Sequence, residues 1–147
     1  MAGSRPRPSS MNDVTATLPL RVLDGSDSLS GTFRYRPRDP WAVTVTVEGP
    51  HGGSIGWTFA RELLVHGRYE PVGDGDVHVW PCLGEDASAV VVIELDPGSH
   101  AVLLEAPARD LQAFVDATLA RVPLGHEGER VDLDAELSRL LADASAA

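Results

Sequence analysis

The feature that most limits the fold of this sequence is a series of short β-rich runs, each ended by a cluster of glycine, proline, aspartate or serine. β-Branched and aliphatic residues dominate the runs, and the turn-forming residues between them reverse the chain. The first four runs follow one another through short connections, which predicts an antiparallel sheet. Seven runs are recognised, at residues 14–23, 32–36, 41–48, 54–59, 76–80, 88–95 and 100–106.

Alternation within the runs predicts which side chains face the core. In the second run, Phe33 and Tyr35 fall on one face of a strand, and Arg34 and Arg36 fall on the other, because successive side chains of a strand point to opposite faces. Pro19 in the first run indicates a sheet edge or a bulge, since proline cannot donate to the hydrogen-bond ladder.

The three tryptophans are all predicted to lie in strands. We expect Trp57 in the core, because it enters its strand just before the first predicted helix. Trp41 and Trp80 either fill the core or mark a subunit contact, since aromatic area dominates the energetics of both.

Three helices are predicted where the hydrophobic period changes. Residues 60–66 are good helix formers and end at Gly67, which suits a left-handed C-cap. Pro107 opens a longer helix with one apolar stripe, and a last helix begins near Asp132, a natural N-cap. The order β4-α-β3-α-α predicts an α+β domain in which antiparallel β-sheets form a barrel-like core with packed helices. The stripe consists of Leu111, Phe114, Val115, Leu119 and Val122.

The expected organisation is a tail followed by one domain. Residues 1–12 are rich in proline, serine and arginine, so we expect a disordered N-terminal tail, with Met1 or Met11 as the start. Residues 13–145 are expected to form a single domain. We also expect a cytoplasmic protein without membrane insertion, because we find neither a secretory signal nor an apolar stretch of about 20 residues.

Composition argues against several classes of function. The formal net charge of −10 opposes generic attraction to nucleic acids and anionic lipids. All twelve basic residues are arginine, which rules out a Schiff-base lysine and the lysine of phosphate-binding loops. The single cysteine, Cys82, cannot form an internal disulfide or a thiolate cluster for zinc.

The stretch GDGDVHVWPC fails as a calcium loop. Asp74, Asp76 and Glu85 match the first, third and last ligand positions of an EF-hand, but His78 and Val79 stand where an acid and a glycine are required. A phosphate-binding loop is also disfavoured, because no helix follows the glycines. We interpret the stretch as a tight turn, with glycines at positive φ, that leads into a strand.

Catalytic chemistry has little support in the sequence. Glu85 and Asp86 lie in a polar turn and are expected to be solvated. We therefore expect no catalytic residue, no metal and no cofactor, and an unrecognised hydrolase built from a histidine and a carboxylate is a minor alternative. The histidines lack the spacing of metal-binding pairs and are His51, His66, His78, His100 and His126.

The main alternative function is single-stranded nucleic-acid binding through the segment FRYRPRDPW. Here Arg34, Arg36 and Arg38 interleave with aromatic residues, as in single-strand binding platforms. Alternation opposes this reading, because it places the stacking side chains and the charges on opposite faces of a strand. About three phosphate contacts would also leave binding weak and sensitive to salt.

Six blocks together resemble the SsgA-like proteins of sporulating actinobacteria. They are RY, DPWAV, WTFARELLVHG, PVGDGDVHVWP, LLEAPARDLQAFV and DLDAEL, in this order, and the resemblance covers most of the chain. It implies that several residues within the blocks form a family signature with a structural role. These residues are Trp57, Phe59, Arg61, Gly67, Gly75, Asp76, Trp80, Pro81, Glu105 and Pro107.

The resemblance also implies a function. SsgA-like proteins control cell division and sporulation septation without catalysis, as adaptors that recruit or position septal and cell-wall machinery. The implied partners are cell-division proteins, including the tubulin-like GTPase FtsZ and other SsgA-like proteins. The implied fold is similar to the Whirly type and assembles as a homotrimer, recruited from the cytoplasm to the septum, and fold kinship does not carry DNA binding with it.

Overall fold

Eight antiparallel strands form one curled sheet in the computed structural model of this chain, which describes residues 12–23, 28–49, 51–98, 100–129 and 137–142. The strand order is β4-β3-β2-β1-β8-β7-β6-β5, with β4 and β5 at the edges. The sheet curls into a half-barrel. The elements are β1 (Val14–Val22), β2 (Ser28–Tyr35), β3 (Ala42–Glu48), β4 (Ser54–Ala60), α1 (Arg61–Gly67), β5 (Val72–Asp74), β6 (Val77–Leu83), β7 (Ala89–Leu95), β8 (Val102–Pro107) and α2 (Ala108–Arg121). Short helical segments also occur at 127–129 and 137–142.

The concave face of the sheet forms the core. Phe33 and Tyr35 of β2 are fully buried and pair in register with Val45 and Val43 of β3. Arg34 between them is half-buried on the opposite face. The predicted alternation of this strand is therefore confirmed, and it decides which face of β2 meets the core.

The longer helix covers the concave face. The predicted apolar stripe of α2 is confirmed, because Leu111, Phe114 and Val115 are buried in the core cluster. The rings of Phe33 and Phe114 pack with their centroids 5.6 Å apart at a tilt of 55°, and full burial of such side chains stabilises the fold by roughly 1.5–3 kcal/mol each. Pro107 ends β8 and is the N-cap of α2. The sequence predicted it as the first residue of the helix, so the helix begins one residue later than predicted.

The two halves of the sheet meet at a narrow junction. Among the described residues, β1 pairs with β8 through two register pairs, Arg21 with Glu105 and Val22 with Leu104, and the amide of Leu23 donates to the carbonyl of Leu103 at 3.1 Å beyond them. Pro19 lies in the part of β1 that pairs with β2 alone, where a missing amide hydrogen leaves the ladder to β8 unaffected. The predicted sheet edge is wrong, because β1 is an interior strand; Pro19 is tolerated there because the neighbouring strand β8 does not pair with that part of β1.

The prediction for Gly67 is wrong. The residue belongs to α1, and the cap that follows it, Arg68, has right-handed helical geometry. A Cβ atom at Gly67 would lie 2.6 Å from Cβ of Val79. Glycine is required here because α1 packs closely on β6, not because the chain turns into a left-handed conformation.

The predicted strand count is also corrected, since the sheet has eight strands and not seven. The additional strand is β5, whose glycine and aspartate gave it little β-propensity in the sequence. It forms a hairpin with β6 through Gly75 and Asp76, and Gly75 has the predicted positive φ, at 59°. The sheet is also single and open along its edges, where a barrel-like core of several sheets was predicted.

Several boundaries shift, including the end of β6 at Leu83 and the start of β8 at Val102, and two predictions lie outside the described residues. Trp41 lies in a turn and not in a strand, and β2 begins at Ser28, four residues before the predicted start. The predicted start of the last helix near Asp132 lies outside the described residues, although 137–142 is helical. The predicted tail lies outside them too, except for Asn12.

Across the ranges that the structure describes, no helix combines the length and apolar character that a membrane crossing requires.

Candidate functional site

The connection between β2 and β3 presents two arginines and a tryptophan on the surface. Residues 36–41, with the sequence RPRDPW, form this connection and are called the RPRDPW loop. Two successive turns shape it: the amide of Asp39 donates to the carbonyl of Arg36 at 2.9 Å, and the amide of Ala42 donates to the carbonyl of Asp39 at 3.3 Å. The backbone of the loop is therefore largely defined by its own hydrogen bonds.

The loop is also anchored to the core. Pro37 and Pro40 are buried, and each takes the second position of one of the turns, which suits the fixed φ of proline. The hydroxyl of Tyr35 donates to the carbonyl of Pro40 at 3.0 Å, and the amide of Arg61 donates to the carbonyl of Trp41 at 2.7 Å. Such anchoring lowers the entropy that a partner would lose by ordering the loop.

The outward side chains of the loop combine charge with aromatic area. Arg36 and Arg38 are exposed, and Trp41 is 54% exposed. Within the described ranges neither guanidinium has a hydrogen-bond or ion-pair partner, and Asp39 is the loop's exposed carboxylate. Tryptophan and arginine are the side chains that most often dominate the energetics of protein interfaces.

The three arginines of the nucleic-acid alternative differ in their surroundings. Nε and Nη2 of Arg34 donate to Oδ2 of Asp13 at 3.0 and 2.6 Å, so this guanidinium is already paired. Arg36 and Arg38 lie beyond the end of the strand, and the aromatic rings of β2 are buried on its other face. The structure therefore does not place three free arginines beside stacking rings.

Beneath the loop, a buried arginine joins three parts of the chain. Arg61 is 2% exposed, and its Nη1 donates to the carbonyls of Thr118 at 3.2 Å and Val122 at 2.7 Å. Its Nη2 donates to Oε1 of Glu127 at 2.6 Å, and its Cζ lies 4.8 Å from the ring centroid of Tyr35. Nε finds no partner among the described residues. Arg61 thus connects α1, the end of α2 and the segment after it, directly below the RPRDPW loop.

Glu127 is held in its charged form. Burial alone raises the pKa of this carboxyl, but hydrogen bonds from its own backbone amide, from Arg61 and from the amide of Gly125 outweigh that effect. Its pKa is therefore below the ordinary value of 4.5, and the pair with Arg61 is a true ion pair at neutral pH.

A cleft of about 360 Å³ lies on the sheet where β1 meets β8, and its lining includes Glu85, Asp86 and Glu105. Arg21 Nη2 lies 3.1 Å from Oε2 of Glu85, and both side chains are exposed. Hydrogen bonds from the hydroxyl and amide of Ser88 lower the pKa of Asp86. Glu85 and Asp86 are exposed, so the prediction of a solvated turn is confirmed. Among the residues that the structure describes, no three histidine, cysteine or acidic side chains converge as metal ligands.

The tryptophans occupy three different environments. Trp57 is half-buried and packs against the core cluster, which confirms its predicted position in part. Trp80 follows the buried Val79 and so faces the convex side of the sheet, opposite Val92 of β7. Trp41 is exposed, and Pro40 before it is the sequence signal for its place in a turn, because proline favours the second turn position.

The remaining residues of the implied family signature lie in strands and in α1. Phe59 and Arg61 are buried, and Pro81 is exposed near the end of β6. Glu105 and Pro107 are half-buried in β8. Sequence analysis did not identify Asp13 or Glu127, and no local pattern could have, because they lie 21 and 66 residues from their arginine partners.

Comparison with known proteins identifies relatives of this architecture. A family model described as Streptomyces sporulation and cell division protein, SsgA, matches residues 29–127. The sporulation-specific cell division protein SsgB of Streptomyces coelicolor is 41% identical over 133 residues, covering 88% of this chain and 96% of the relative. SsgB of Frankia casuarinae is 38% identical and covers 88% of this chain and 92% of the relative.

Two solved structures share the fold. One, from work on SsgB mutations that correlate to longitudinal cell division during sporulation of Streptomyces coelicolor, superposes with a TM-score of 0.75 at 38% identity, covering 80% of this chain and 94% of the other. The crystal structure of an SsgA-like sporulation-specific cell division protein from Thermobifida fusca superposes with a TM-score of 0.79 at 27% identity, covering 95% and 98%.

Proposed function

Because the chain belongs to the SsgA family of sporulation and cell division proteins, we propose that it regulates septation by recruiting or positioning septal and cell-wall machinery. Its relatives are named for sporulation-specific cell division, which supports a role in both processes. In this proposal the chain acts by contacts with other proteins and performs no reaction.

The observation that carries the proposal is the anchored RPRDPW loop. It exposes Trp41 and two arginines without partners among the described residues, on a backbone that the core fixes through Tyr35 and Arg61. An exposed aromatic side chain on an anchored backbone, flanked by charge, is suited to binding another macromolecule.

The proposed partners are FtsZ and other SsgA-like proteins, as the family resemblance implies. The proposal includes a homotrimer of Whirly-type fold that is recruited from the cytoplasm to the division septum. In a closed trimer, each partner site would be presented in three copies, which raises avidity for a polymeric target.

Localisation together with co-sedimentation tests the proposal. A fluorescent fusion of the full chain, produced in a sporulating actinobacterium, is expected to form regularly spaced bands at the septa, whereas the fluorescent protein alone stays diffuse. Purified chain is expected to pellet with FtsZ polymers assembled in GTP, or to bind purified SsgA-like relatives. A diffuse fusion that binds none of these proteins contradicts the proposal.

A further inference from the structure

The charges of the RPRDPW loop stand out from those of the rest of the chain. The formal net charge is −10, and four other arginines are neutralised by ion pairs with Glu85, Asp13, Glu127 and Asp116. Arg36 and Arg38 have no such partner among the described residues. Arg109 and Arg121 are also exposed and unpaired there, but they lie near opposite ends of α2, whereas Arg36 and Arg38 lie two residues apart in one loop. The loop is therefore a local positive site on an acidic protein.

Exposed apolar area adjoins this charge. Trp41 is 54% exposed, although the prolines on which the loop rests are buried. Because Tyr35 and Arg61 hold the backbone through the carbonyls of Pro40 and Trp41, the indole and the guanidinium groups are displayed from a fixed base. The loop therefore carries two cationic groups and one exposed aromatic surface, the side chains that carboxylates and apolar side chains respectively bind.

From this complementarity, and resting on the proposed function, we infer that the RPRDPW loop binds an acidic segment of a partner protein that also carries apolar side chains. The carboxylates pair with Arg36 and Arg38, and an apolar side chain packs on Trp41. A phosphate backbone fits less well, because Arg34 is paired with Asp13 and the exposed Asp39 directly follows Arg38 in the loop. An unbroken row of phosphates would meet the exposed carboxylate of Asp39, whereas a peptide can place its acids selectively.

Fluorescence anisotropy with defined probes tests this inference on the full chain. The probe is a fluorescein-labelled peptide in which glutamates alternate with leucines, and the matched peptide has glutamine in place of every glutamate. Saturable, salt-sensitive binding of the glutamate peptide alone is expected. The variant Arg36→Glu/Arg38→Glu is expected to weaken it by about 100-fold or more, since each charged contact contributes about a factor of ten. Trp41→Ala is expected to weaken the affinity for the glutamate peptide. It is also expected to reduce the preference for this peptide over one in which alanine replaces every leucine.

The control variant changes the net charge by the same amount as Arg36→Glu/Arg38→Glu. Arg109→Glu/Arg121→Glu reverses two exposed arginines on α2 that have no ion pair within the described ranges, and it is expected to bind the glutamate peptide as the unmodified chain does. Thermal unfolding of Arg36→Glu/Arg38→Glu should match the unmodified chain, because neither guanidinium is buried.

Four outcomes overturn the inference: no binding of the glutamate peptide, equal binding of the glutamine peptide, unchanged binding by Arg36→Glu/Arg38→Glu, or tighter loop-dependent binding of an oligothymidylate. Its failure is separable from failure of the proposed function. A fusion that reaches the septa while the peptide does not bind removes this inference alone. A chain that binds the peptide but stays diffuse in sporulating cells removes the proposed function alone.

Discussion

Nη2 of Arg61 and Oε1 of Glu127 lie 2.6 Å apart, with both side chains almost completely buried. Removing one partner of such a pair leaves the other charge buried without compensation. Arg61→Ala is therefore expected to lower the free energy of unfolding by about 3–5 kcal/mol in urea denaturation. Arg21→Ala breaks an exposed pair with Glu85. This substitution is expected to change the free energy of unfolding by less than about 1 kcal/mol. Equal effects of the two substitutions would contradict the importance of the buried pair.

Stability is expected to depend on the titration of Glu127. Its pKa in the folded chain lies below the ordinary value of 4.5, so its ionisation stabilises the fold above that value. This contribution disappears as the pH falls through the folded pKa. Urea denaturation at a series of pH values below about 5 should show a steeper loss of stability in the unmodified chain than in Glu127→Gln. Parallel curves would show that this carboxyl does not carry the effect.

Gly67→Ala is expected to destabilise the fold by about 1–3 kcal/mol, as other overpacking substitutions do. The added methyl group would lie 2.6 Å from Cβ of Val79, and neither α1 nor β6 can move freely. The methyl group would also overlap Cγ1 of Val79. Val79→Ala removes that atom, so the double variant Gly67→Ala/Val79→Ala should lose less than the sum of the single losses. Gly56→Ala is a suitable control, because a Cβ there meets no atom within 4 Å. Strictly additive losses would argue against the contact.

Tyr35→Phe is expected to loosen the RPRDPW loop. It removes the hydroxyl that donates to the carbonyl of Pro40 at 3.0 Å, a contact worth about 0.5–1.5 kcal/mol. Hydrogen exchange at the amides of Asp39 and Ala42, which close the two turns, should accelerate relative to the unmodified chain. Thr17→Val removes an exposed hydroxyl contact elsewhere on the sheet and should leave these amides unaffected. Unchanged exchange in Tyr35→Phe would mean that the prolines alone fix the loop.

Local patterns predicted the parts of the fold that depend on local physics. The alternation around Phe33 and Tyr35 and the stripe of α2 follow directly from strand and helix geometry, and the structure confirms both. Gly67 was misinterpreted because a helix-ending glycine and a close-packed glycine look alike in a sequence. β5 was missed because its three residues are too few for a periodic signal.

The candidate site was only partly predictable. The loop arginines were identified from the sequence, but their separation into a paired Arg34 and unpaired Arg36 and Arg38 depends on the tertiary position of Asp13. The link between Arg61 and Glu127 spans 66 residues, and no spacing rule reaches that far. An arginine is rarely fully buried unless it is paired, and no residue near Arg61 in the sequence identifies Glu127 as its partner.

The RPRDPW loop is tied down through the carbonyls of Pro40 and Trp41, and those attachments do not depend on which side chains residues 36, 38 and 41 carry. Divergent copies of this gene can therefore exchange those three side chains and acquire new ligands while the scaffold beneath stays intact. Gene duplication followed by substitutions in the RPRDPW loop can therefore produce paralogues that bind different partners through the same fold.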